Sequence, residues 1–216
     1  MTIVVLMTEE NIVGRELLKE LGIHGISVQA VIVESSPRAE REKEYLKNDF
    51  YNPPPCAELT AQYPTEVIRV GRLNADEVER ALRERAPDLI LLDGSTIVKR
   101  SVYAGARIGA LNAHPGLLPE YRGVDSVRWA IYHGDPVGAT CHFIDEGIDT
   151  GPVLLREEIP LRSGETILDL RVRVMRACAD LMRRSVHGSM QGTLAAYPQL
   201  AGGRYFSWAP PEVQEA

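Results

Sequence analysis

The amino-acid sequence predicts an α/β fold, a mostly parallel sheet with helices on both faces, ending in a short C-terminal tail of strands and turns. Two observations predict it. Short continuous apolar runs recur through the first half at Ile3–Leu6, Val28–Val33, Val67–Val70, Leu89–Leu92 and Ile108–Asn112. Helix-like segments lie between them, and strands apolar on both faces belong in a parallel sheet covered on both sides. The length of 216 residues suits one such domain with a small appendage. The expected division is 1–191 for the domain and 192–216 for the extension.

Each element has its own signal. After the first strand, Ile12, Leu17, Leu18 and Leu21 fall at helical spacing over residues 10–21, and Gly22 is the expected stop. A second helix is expected near 75–85, with Asn74 as its N-cap and Glu77 in capping-box position. Residues 35–65 break the rhythm. Pro37 to Asp49 is strongly charged and reads as a solvated helix, and Pro53-Pro54-Pro55 must be extended or turn. Val137–Ile144 and Val153–Ile159 read as strands. Residues 165–191 carry Ile167, Leu170, Val174, Cys178 and Leu181 on one helical face.

Composition narrows the function. A net charge of -6 argues against a broad phosphate-gripping face. Three scattered cysteines form neither a disulfide framework nor a zinc site and fit a reducing compartment. The chain begins directly on a strand, without a basic leader or a membrane-length apolar stretch, so the expected location is cytoplasmic, away from membranes.

In such sheets ligands bind beyond the carboxyl ends of the strands. There the sequence places Asn112-Ala113-His114-Pro115-Gly116-Leu117-Leu118-Pro119. Pro115 keeps His114 extended, and residues two apart on a strand share a face. Asn112 and His114 thus present an amide beside an imidazole, a pair able to stabilise a tetrahedral oxyanion and to relay a proton. A second cluster runs from Gly138 through Thr140, His142, Asp145 and Glu146 to Asp149 and Gly151-Pro152. Asp145 and Glu146 fit a solvated acidic turn. Asp149, between Gly147 and Gly151, is the carboxylate expected to hold His114 protonated or oriented. His142 and Thr140 are expected to support it from behind.

Together these motifs resemble the folate-dependent formyltransferase family, strongly over residues 65–160 and loosely at the first strand. Its members include glycinamide ribonucleotide transformylases, methionyl-tRNA formyltransferases and sugar N-formyltransferases. The resemblance implies the Rossmann-like formyltransferase fold and a catalytic triad of Asn112, His114 and Asp149. It implies N10-formyltetrahydrofolate as donor, with no metal. Its pterin would lie against Gly94, Ser95, Thr96, Ile97 and Val98 and against Ile144, Asp145, Glu146, Gly147 and Ile148, largely through backbone groups. The implied reaction is attack of a primary amine on the formyl carbon, with Asn112 and protonated His114 stabilising the oxyanion.

The departures bear on the acceptor. The family motif usually carries Ser where this chain has Gly116. The purine enzymes carry a Gly-Ser-Asn loop that holds a phosphate, whereas this chain has Thr8-Glu9-Glu10-Asn11, whose carboxylates repel phosphate. About twenty-five residues follow the long helix, too few for the barrel domain of the tRNA enzymes. The tail around Gly202-Gly203-Arg204-Tyr205-Phe206-Ser207 is similar to tails of the tRNA and sugar branches. A small amine such as an amino sugar is the expected acceptor, with no nucleic acid as partner and a homodimer the default assembly. Three rivals stand beside this reading: a hydrolase releasing formate, a non-catalytic folate-binding homologue, and a metal site from His114, His142 and Asp149.

Overall fold

The computed structural model describes residues 1–37 and 51–214. The solvated helix expected over Pro37–Asp49 thus lies almost wholly outside the described residues. The chain forms two compact units, Met1–Asn112 and Ala113–Ala216.

In the first unit, β1 (Ile3–Thr8), α1 (Ile12–Ile23), β2 (Ala30–Glu34), α2 (Cys56–Ala61), β3 (Glu66–Val70), α3 (Asp76–Arg85), β4 (Leu89–Leu92), α4 (Arg100–Tyr103) and β5 (Gly109–His114) follow in order. The strands are parallel in the order β3-β2-β1-β4-β5. Every residue of β1, β2 and β4 is buried. Alternate residues point to opposite faces, so both faces of these central strands are covered, as their continuous apolar runs predict.

Two details differ from expectation. Helix α1 runs through Gly22 to Ile23. The glycine serves a close approach instead: a Cβ on Gly22 would lie 3.0 Å from the Tyr63 ring, whose hydroxyl donates to the Gly22 carbonyl. Helix α3 has Ala75 as its N-cap, without a side-chain cap bond. Asn74 is engaged elsewhere. Its amide donates to the Ile97 carbonyl at 2.9 Å and accepts from the Lys99 N–H at 2.7 Å, fixing the loop after β4.

The second unit contains β6 (Tyr121–Gly123), α5 (Ser126–His133), β7 (Gly138–Phe143), β8 (Val153–Glu158), α6 (Ile167–Gln191), β9 (Arg204–Phe206) and α7 (Pro211–Gln214). β7 and β8 are antiparallel and form a minority against the parallel strands. Helix α6 opens on a capping box between Thr166 and Asp169 and buries Leu170, Val174, Cys178 and Leu181, the stripe read from the sequence. The tail is ordered onto this unit. Val153 and Tyr197 exchange backbone hydrogen bonds at 2.8 Å, and β9 pairs in parallel with β6, setting Gly123 opposite Phe206. No helix among the described residues is long and apolar enough to cross a membrane.

Candidate active site

His114 ends β5, two residues after Asn112 on the same strand, and its side chain is buried (3% exposed). Its Nε2 lies 2.6 Å from the Tyr121 carbonyl oxygen. A carbonyl only accepts, so the ring proton belongs on Nε2. The Ser126 hydroxyl lies 3.1 Å from the same nitrogen. Nδ1 faces Asp149 Oδ2 at 3.5 Å.

Asp149 sits at the centre of the second motif. Its Oδ2 also accepts from the Gly123 N–H at 2.8 Å, and its Oδ1 lies 3.5 Å from His142 Nε2. The opposite nitrogen of His142, Nδ1, is 2.8 Å from the Phe143 carbonyl. The backbone of Asp149 is left-handed, at φ 54°, a conformation uncommon in residues other than glycine, though less so in aspartate. The glycines around it permit the tight path: a Cβ on Gly151 would fall 1.9 Å from the Phe143 carbonyl oxygen, and one on Gly147 would fall 2.1 Å from the Thr150 hydroxyl.

The electrostatics follow from burial. Desolvation pushes the His114 imidazole below its usual range, against the opposing pull of Asp149 and the Tyr121 carbonyl. Burial also works against the Asp149 carboxylate. There, however, His114, His142 and the Gly123 N–H outweigh it, and the carboxyl titrates at about 2. At neutral pH the pair is an ionised Asp149 beside a neutral His114. Of the two expected states of His114, protonated or oriented, this favours a neutral imidazole in the free protein, with its proton on Nε2 and Nδ1 unprotonated beside Asp149. A proton arriving at Nδ1 is compensated at once by the adjacent carboxylate.

Further residues of both motifs fix the surrounding loops. The Thr140 hydroxyl donates to the Gly116 carbonyl at 2.7 Å and accepts from the Leu118 N–H at 3.1 Å, pinning the loop after His114. Asp145 accepts from the Thr150 hydroxyl at 2.5 Å and the Gly147 N–H at 3.1 Å, so it organises the turn from within. Tyr121, Gly123 and Ser126 were absent from the sequence-based site. Two of them act through backbone groups, which leave no residue-type signature. Ser126 explains Gly116: a Cβ at 116 would stand 2.7 Å from His114 Nε2 and 2.8 Å from Ser126 Cβ. The hydroxyl beside the imidazole comes from Ser126, and glycine leaves it room.

Of the residues expected at the pterin, the first loop leaves Ile97 exposed (63%) while the Thr96 hydroxyl donates to the buried Glu34. The second loop leaves Ile148 exposed (42%). Each loop thus offers an uncovered apolar side chain. Among the described residues no group of three His, Cys, Asp or Glu side chains is arranged to hold a metal ion.

Comparison with known proteins identifies the family. Residues 1–186 match the family model described as formyl transferase, and the chain belongs to that family. A methionyl-tRNA formyltransferase of Pelobacter propionicus is 32% identical over 68% of this chain and 47% of its own length. That of Halorhodospira halophila is 31% identical over 86% of this chain and 57% of its own. The chain therefore spans about half the length of these relatives. The fold is shared with a glycinamide ribonucleotide transformylase of Symbiobacterium toebii, at TM-score 0.69 and 23% identity over 93% of this chain and 94% of that one. It is also shared with a sugar N-formyltransferase of a Shewanella species, at TM-score 0.68 and 17% identity over 95% and 76%.

Proposed function

We propose that this chain transfers a formyl group from N10-formyltetrahydrofolate to the primary amine of a small molecule, such as an amino sugar. The observation that carries the proposal is the buried His114, two residues beyond Asn112 on the strand, with its Nδ1 3.5 Å from the Asp149 carboxylate. As the amine bonds to the formyl carbon, the Asn112 amide stabilises the oxyanion. His114 Nδ1 takes the proton shed by the amine, with Asp149 compensating the imidazolium. The same proton then passes to the departing nitrogen as its bond to the formyl carbon breaks. Folate, when bound, supplies the formyl group. Gly94 to Val98 and Ile144 to Ile148 are the segments we assign to it, with Ile97 and Ile148 offering apolar cover. Within this reading residues 1–191 are the catalytic portion and 192–216 a supporting extension.

The acceptor follows from the loop after β1. At the α1 N-terminus Asn11 Oδ1 accepts from the Val13 N–H at 2.9 Å, taking one of the first-turn donors. Glu9 pairs with Arg69, and Glu10 faces Arg15 at 3.6 Å. The Asn11 cap and the carboxylates of Glu9 and Glu10 together make this helix end a poor place for a substrate phosphate. That disfavours glycinamide ribonucleotide. The relatives named methionyl-tRNA formyltransferase favour a second reading, in which the amine is on a charged tRNA. The test incubates labelled formyl donor with amino sugars and their nucleotides, glycinamide ribonucleotide, methionyl-tRNA and no amine. Label on an amino sugar supports the proposal. Label on tRNA alone, or formate without any amine, replaces it with the tRNA or hydrolase reading.

A further inference from the structure

We propose that Gln199, in the C-terminal tail, is the positioning residue for Asp149. The inference rests on the reading of Asp149 as part of the catalytic machinery. The Gln199 side-chain amide donates to the Asp149 carbonyl at 2.9 Å and to the Gly151 carbonyl at 2.7 Å. Both acceptors face the nitrogen, so the amide orientation is set and its two hydrogens are both engaged. These carbonyls bracket the turn in which Asp149 adopts its left-handed backbone. Aspartate tolerates that conformation better than most residues other than glycine, but it remains uncommon there. A staple across residues 149 and 151 holds it.

The staple is itself anchored. Two residues earlier, Tyr197 exchanges two backbone hydrogen bonds with Val153, which fixes the tail beside the turn. Further on, β9 pairs with β6, whose Gly123 N–H donates to the Asp149 carboxylate. The tail therefore grips Asp149 twice, at its carbonyl through Gln199 and at its carboxylate through the strand that β9 supports. In this arrangement residues 197–206 set the carboxylate 3.5 Å from both histidines.

The test compares Gln199→Met, which keeps length and volume but has no donors, with Gln199→Glu, which sets a carboxylate against two carbonyls. With the amine identified, turnover in Gln199→Met should fall on the order of tenfold to a hundredfold, the scale of a misplaced catalytic group, with the donor KM little changed. Gln199→Glu should fall further. Independently of any activity, the His114 titration followed by NMR should move in Gln199→Met in the direction it moves in Asp149→Asn. Adding Gln199→Met to Asp149→Asn should then cost no further turnover. An unchanged His114 titration in Gln199→Met overturns the inference, as does a turnover loss that adds in full to that of Asp149→Asn. A parental protein that formylates no amine defeats the proposed function instead, and leaves the titration to decide the role of Gln199.

Discussion

Adding one methyl group at Gly116 should disturb His114 directly. An ideal Cβ at 116 lies 2.7 Å from His114 Nε2, 2.8 Å from Ser126 Cβ and 2.8 Å from the Tyr121 carbonyl oxygen. Carbon contacts settle at about 3.5–4.0 Å, so each of the three partners must yield by nearly an ångström. The Tyr121 oxygen is backbone, and His114 is held against that same oxygen at 2.6 Å. Overpacking of this kind costs about 1–3 kcal/mol. Strain relieved by rotating His114 moves Nδ1 away from Asp149, and a displacement near 1 Å costs about a hundredfold in turnover. Gly116→Ala should therefore lower stability and turnover together. Ser126→Gly removes one of the three obstructing atoms, so the two changes should couple by about 0.5–3 kcal/mol in a double-mutant cycle. Urea unfolding of the four proteins, with turnover measured on each, provides the assay. A Gly116→Ala protein as stable and active as its parent, or strict additivity with Ser126→Gly, would refute the account of why glycine occupies this position.

Asp149→Asn should reduce turnover by about a hundredfold, the scale of one oxyanion or proton-transfer partner. Asp145→Asn retains an acceptor for Thr150 and Gly147 and should remain near parental in the same assay. Because the Asp149 carboxyl is depressed to about 2, its ionisation contributes stability above pH ~4 that is lost as pH falls toward 2. The magnitude is about 2 kcal/mol, and acid unfolding of Asp149→Asn should lack that component. Asp93 behaves in the opposite sense. Burial pushes its carboxyl well above the usual range, and its Oδ2 has no hydrogen-bond partner. The folded chain retains a proton that the unfolded chain releases, so stability is lost as pH rises above about 4. Asp93→Asn should raise Tm more at pH 8 than at pH 5, and an equal difference at both would count against a buried neutral acid. A saturating folate analogue should raise Tm by linkage. An unshifted melt would remove the case for the 94–98 and 144–148 segments.

Much of the fold and part of the site could be read directly from the chain. Leu89–Leu92 is a strand with the expected bounds, because a continuous apolar run buried on both faces has few alternatives. Asn112 and His114 could be paired because Pro115 and the two-residue period of a strand act locally. Asp149 could be singled out from Asp145 by its flanking glycines, which mark a backbone that crowds its neighbours. Helix ends were less legible. Gly22 and Asn74 both carry punctuation signals, yet Tyr63 packs on the first and the loop at 97–99 takes the side chain of the second.

Other properties exist only in three dimensions. The protonation of His114 is a balance between burial and a carboxylate 3.5 Å away, and no local pattern states which prevails. Ser126 fills the space beside the imidazole that Gly116 vacates, an exchange between positions ten residues apart that only packing relates. Gln199 reads as one polar residue in a turn-rich tail until its amide is seen across the Asp149 turn, fifty residues away in sequence. Residue types and short spacings determine which chemistry is available. Long-range contacts decide which groups are desolvated, which backbone groups serve as donors and acceptors, and so which nitrogen of His114 is left to act as a base.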